Sequence, residues 1–150
     1  MPNKQNLKPK KGELRYEKRL LLTLIFVVLF ANGAFAGPAN IAGNWSGDGE
    51  AILPDGSTCE INPILGIVSQ NDTLLNGSFE FTVESGDCPG GTVFFTGNIS
   101  AGNRIKAVMS VEGFGGIGVL DAKLKGKTIS GVVLDFSDGS TTIFSVTPAD

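Results

Sequence analysis

From residue 40 onward, apolar and polar side chains alternate. Ser78-Phe79-Glu80-Phe81-Thr82-Val83-Glu84 puts three apolar groups on one face and four polar ones on the other, the two-residue period of a strand buried on one side. The rhythm recurs in Val93, Phe95 and Ile99, in Ile105, Ala107, Met109 and Val111, and in Leu120, Ala122 and Leu124 against Asp121, Lys123 and Lys125. No segment there carries an apolar stripe of 3.6-residue period, so the pattern predicts strands and no helix.

Turn signals stand between the runs: Pro54-Asp55-Gly56, Gln70-Asn71-Asp72, Ser85-Gly86-Asp87, Ala101-Gly102-Asn103, Gly113 to Gly116, Lys125-Gly126-Lys127 and Asp138-Gly139. Seven turns separate eight strands. Short connections favour a meander in which each strand pairs with its predecessor. Eight such strands expose two edges unless the sheet curls and closes. The predicted architecture is therefore an all-β, eight-stranded antiparallel up-and-down barrel, with a two-sheet sandwich as the alternative. Phe79, Phe81, Val93, Phe95, Ile105, Met109, Leu120 and Leu124 are the predicted core.

Four glycines break the alternation without breaking the strands. Ile41-Ala42-Gly43-Asn44-Trp45, Leu75-Asn76-Gly77-Ser78-Phe79, Phe95-Thr96-Gly97-Asn98-Ile99 and Ile129-Ser130-Gly131-Val132-Val133 each set a glycine between large apolar residues two before and two after. All three side-chain positions then share one face. Gly43, Gly77, Gly97 and Gly131 are expected on the concave face of a coiled sheet, where strands crowd and a missing side chain lets them bend.

Residues 1–36 differ from the rest. A basic start (Lys4, Lys8, Lys10, Lys11, Arg15, Lys18, Arg19) precedes the apolar run Leu20–Ala31 and a small-residue exit, Asn-Gly-Ala-Phe-Ala. Ala34 and Ala36 stand at the spacing a signal peptidase reads, which predicts a helical signal peptide over residues 1–36, cleavage between Ala36 and Gly37, and a single all-β domain over 37–150. The alternative is an uncleaved anchor with its basic end inside, for which the uncharged run Leu20–Ala36 is short. The expected destination is periplasmic or extracellular.

Setting the leader aside changes the charge. Seven of twelve Lys/Arg and two of fifteen Asp/Glu lie in it, leaving five positive and thirteen negative groups, a net of minus eight. Such a body is repelled by nucleic acid and anionic lipid, so neither is an expected partner. Outward Lys123, Lys125, Glu80 and Glu84 speak against a lipid-facing barrel wall, and no stable membrane insertion is expected after cleavage. Cys59 and Cys88 both follow the leader, and one intramolecular disulfide is expected in an oxidising compartment; two buried free thiols are the alternative.

The chain has no histidine, which removes imidazole catalysis and His-ligated zinc. Paired acids remain: Asp48 and Glu50 share a strand face, and Asp135 and Asp138 flank a turn, the material of a carboxylate hydrolase. Nothing converges on them in sequence, so no catalytic residue is assigned. Asp135-Phe136-Ser137-Asp138-Gly139-Ser140 lacks the spacing of a calcium loop and reads as an Asp-Gly hairpin. No metal or cofactor is expected. Asn44, Asn71, Asn76 and Asn98 head N-x-S/T triplets, relevant only in a eukaryote-like secretory pathway.

Gly43-Asn44-Trp45 on a first strand, followed by an up-and-down strand series, resembles the calycin superfamily of lipocalins, fatty-acid-binding proteins, avidins and small periplasmic protease inhibitors. The resemblance implies that Trp45 lies across the closed end of a barrel as a structural plug. The chain departs from the lipocalin pattern in having no basic residue after Lys127. Two functions are expected: binding a small apolar ligand at the barrel mouth, or meeting an envelope protein through a loop carrying Phe114 and Ile117.

Overall fold

The alternating segments become eight strands in the computed structural model, which describes residues 37–111 and 114–150: β1 (Gly43–Ile52), β2 (Thr58–Asn71), β3 (Leu74–Ser85), β4 (Gly91–Ile99), β5 (Arg104–Val111), β6 (Phe114–Lys125), β7 (Thr128–Asp135) and β8 (Thr141–Pro148). Each pairs antiparallel with its predecessor, and β1 also pairs with β8, closing the barrel. Gly49 sits opposite Ile61 of β2 and Phe144 of β8. Closure removes both free edges, whose unpaired N–H and C=O groups would otherwise face water. The barrel is the expected architecture, and the sandwich is set aside.

The inward positions fill the interior. Phe79, Phe95, Ile105, Met109, Leu120 and Leu124 are buried as the pattern predicts, joined by Leu65, Ile67, Leu75, Ile99, Ile129, Phe144 and Val146. Phe81 and Val93 are only partly buried against this core. Both lie toward one end of the barrel, where the packing thins. At about 1.5–3 kcal/mol per large apolar side chain, this shared interior is the main favourable term.

Three of the four glycines answer to crowding. A methyl on Gly97 would lie 2.2 Å from the carbonyl oxygen of Lys106, one on Gly77 would lie 2.1 Å from that of Gly66, and one on Gly131 would lie 2.4 Å from Ala122 Cβ. Gly43 is a correction. It is exposed, has open space around its missing side chain and takes a φ of +129°, because it opens β1 instead of lying inside it. The crowded glycines of β1 are Gly47, where a Cβ would lie 2.2 Å from the Ser145 carbonyl oxygen, and Gly49, where one would lie 2.9 Å from that of Ile143.

The glycine-rich run also differs from expectation. Gly113 lies outside the described residues, but Phe114 pairs with Val111 and begins β6. Phe114 and Ile117 therefore sit on a strand, not on a loop. Side-chain-free residues extend as readily as they turn, and the register shift between Met109 and Val111 absorbs the irregularity.

Candidate functional site

Alternating strand directions give the barrel two chemically different ends. One holds the starts of the odd strands and the N-terminal segment, which folds back over it. Ile41 is 1% exposed and its N–H donates to Gln70 Oε1 at 2.8 Å; Gln70 Nε2 donates to the Ala39 carbonyl at 2.9 Å. The Ala39 N–H donates to Asn103 Oδ1 at 3.3 Å. Trp45 lies beneath, buried, its indole N–H donating to the Ile41 carbonyl at 2.9 Å. An indole needs a partner when buried, and the strap supplies it. This end is closed.

The other end is open. Its mouth is walled by Phe81, Val93, Met109, Ile117 and Val133, with Phe79 at its floor. Phe79 stacks edge-on against Phe144 with ring centres 5.1 Å apart. The cavity is about 60 Å³, room for a few carbons and well below the roughly 150 Å³ void that takes a benzene ring. Thr142 and Ser140 are the neutral polar groups at its edge, and Asp135 and Asp138 complete the rim. Phe136, 63% exposed, projects from the adjoining turn, while its N–H donates to the Ile117 carbonyl at 2.6 Å.

Charge divides along the barrel axis. Arg104, Lys106, Lys123, Lys125 and Lys127 are all the cations among the described residues, and all lie in the closed-end half. Asp55, Glu84, Asp87, Asp135 and Asp138 gather at the open end. At the closed end Arg104 grips Asp121 with two bonds, Nε to Oδ1 at 2.9 Å and Nη2 to Oδ2 at 2.7 Å. These bonds hold the Asp121 carboxyl below its ordinary range and raise the guanidinium above its own. Among the described residues the rim acids have no such partner, so the charge these residues place at the mouth is negative.

The expected residues are distributed as follows. Cys59 and Cys88 are joined in a disulfide beside the mouth, and Cys88 lines it. Gly86 lies against that bridge with a φ of +98°, and a Cβ there would lie 2.6 Å from Cys59 Sγ, so this turn requires glycine. Asp48 and Glu50 are exposed on the outer face of β1, apart from the cavity. Asp135 and Asp138 do come together at the rim, but as turn-formers: Asp135 Oδ1 accepts from the Ser137 N–H at 2.7 Å, and Asp138 Oδ1 from the Ser140 N–H at 2.8 Å. No group of three potential metal ligands occurs among the described residues. Asn44, Asn71, Asn76 and Asn98 are all exposed. Ile117 is a wall of the mouth. Ala36 and the rest of residues 1–36 lie outside the described residues.

Two features escaped the sequence reading. The strap has no periodicity to betray it, and Gln70, which anchors it, looked like a turn residue. The inward period of Thr142, Phe144 and Val146 on β8 was the signal that could have found Thr142. No family model, curated protein or solved structure matches the chain.

Proposed function

We propose that the chain is an exported, non-enzymatic binding module whose open end receives a small apolar group. The single observation that carries this is the asymmetry of the barrel: one end is strapped shut over Trp45, while the other keeps an apolar socket of about 60 Å³. The interior is otherwise filled by its own side chains, so the occupant is a short aliphatic group and not an enclosed lipid, which needs roughly 300 Å³ or more. Trp45 at the strapped end supports the calycin-like reading, and the Cys59–Cys88 bridge supports export to an oxidising compartment.

Met109 is the only methionine after Met1 and lines the socket, so its methyl resonance reports occupancy. Saturable movement of that resonance by n-butanol, at about millimolar Kd for so few atoms, with no movement by bulky adamantanol, is expected. Indifference to n-butanol, or retention of a lipid-sized ligand in native mass spectrometry, would refute the reading.

A second reading rests on a different observation. Phe94, Val108, Leu134 and Ile143 are about half exposed on the outer wall, and Val108, Val119 and Leu134 are successive cross-strand partners. Such a belt fits a protein partner in the cell envelope. It predicts a stoichiometric complex lost in Val108→Lys, a variant that leaves n-butanol binding unchanged.

A further inference from the structure

We propose that the socket's occupant is the stem of a small amphiphilic cation, a short aliphatic chain bearing an ammonium group. The inference rests on the socket reading above and names the chemistry that reading leaves open. Phe79, Phe81, Val93, Met109 and Ile117 present hydrocarbon to a stem, while the polar groups of the lining are Ser140, Thr142, Asp135 and Asp138. Where the stem emerges it meets Asp135 and Asp138, which line the cavity. Each spends its Oδ1 on the local turn, and its Oδ2 remains a hydrogen-bond acceptor. A carboxylate only accepts hydrogen bonds, and an ammonium only donates, with three N–H groups to share between two acids.

The field of the whole barrel points the same way. Every cation of the described residues sits toward the strapped end, whereas Asp55, Glu84 and Asp87 stand with the rim acids at the mouth. An approaching cation is drawn to the open end and an anion is turned away. A neutral alcohol has the same stem but forfeits the charge-assisted bonds.

The test compares three probes with the same stem, n-butylammonium, n-butanol and butyrate, by titration of the Met109 methyl resonance in the protein from Gly37 onward. At low salt n-butylammonium is expected to bind about fivefold more tightly than n-butanol, and butyrate more weakly than either. The gap is expected to close in 0.5 M salt, a concentration at which roughly 4 Å screening isolates exposed charges. It is also expected to narrow in Asp135→Asn and in Asp138→Asn, amides that keep the turn acceptor. With that preference present, a Leu-Gly-Gly amide that binds more tightly than its N-acetylated form assigns the ammonium to a peptide terminus; equal binding of those two assigns it to a free amine. Equal affinity for n-butylammonium and n-butanol, or a preference for butyrate, overturns the cationic assignment while leaving the socket intact. Silence of the Met109 methyl toward all three overturns the socket itself.

Discussion

Single atoms decide whether this barrel can close. At Gly97 a methyl would meet the Lys106 carbonyl at 2.2 Å and Ala107 Cα and Cβ at 2.5 Å. Those are backbone atoms and a stub with no rotamer to change, so the strands must part. Gly97→Ala is expected to lower unfolding free energy by about 1–3 kcal/mol, read as a fall in urea midpoint at constant slope, whereas Gly37→Ala, with nothing within 4 Å, leaves the midpoint unchanged. The same scale holds the one ion pair of the described residues, Arg104–Asp121, which is solvent-exposed on both sides. Because Arg104 lowers the folded-state pKa of Asp121, the stability that this carboxylate adds is present above the unfolded-state pKa and lost as pH falls through the folded one. Asp121→Asn is therefore expected to flatten the acid limb of the urea midpoint against pH, with a small amplitude that added salt erases. An unchanged acid limb would contradict it.

At the scale of elements, each end of the barrel has its own fastening. The disulfide closes a 29-residue separation and ties the start of β2 to the connection after β3. Removing it in Cys59→Ser/Cys88→Ser is expected to lower stability by about 3–4 kcal/mol on the chain-entropy account, measured by urea unfolding. The strap depends on Gln70, which holds Ile41 and Ala39 with two hydrogen bonds. Gln70→Ala is expected to cost about 1 kcal/mol and to shift Trp45 emission to the red as water reaches the indole. A variant with unshifted emission would mean that the strap stays down without it. The alternation from Ser78 to Glu84 announced β3 in sequence, because period two has one structural meaning. The strap announced nothing, because its order comes from partners 31 and 64 residues away.

At the scale of the whole molecule, closure was legible as a consequence: eight strands in series have two edges to hide, and pairing β1 with β8 hides both. Most of the core was legible for the same reason, and the residues that the pattern missed, such as Leu65, Phe144 and Val146, occupy inward positions of β2 and β8. The site was less legible. Asp135 and Asp138 were singled out as a pair, but their role at a rim needed the strand directions that send the end of β7 and the start of β8 to the mouth. Phe114 and Ile117 were read as a loop because glycine marks turns more often than strands, and here it permits a bulged strand instead. The segregation of cations from the mouth likewise appears only when Lys106, Lys123 and Lys125 are placed along β5 and β6.

All of this rests on the seam between β1 and β8, where Trp45–Ile52 faces Thr141–Pro148. Amide hydrogen exchange of the chain from Gly37 onward measures it directly. A closed barrel predicts that the seam amides exchange as slowly as those of the interior β5–β6 ladder. Seam amides exchanging at the rates of unpaired edge strands, with the β5–β6 ladder still protected, would show an open sheet and contradict the account.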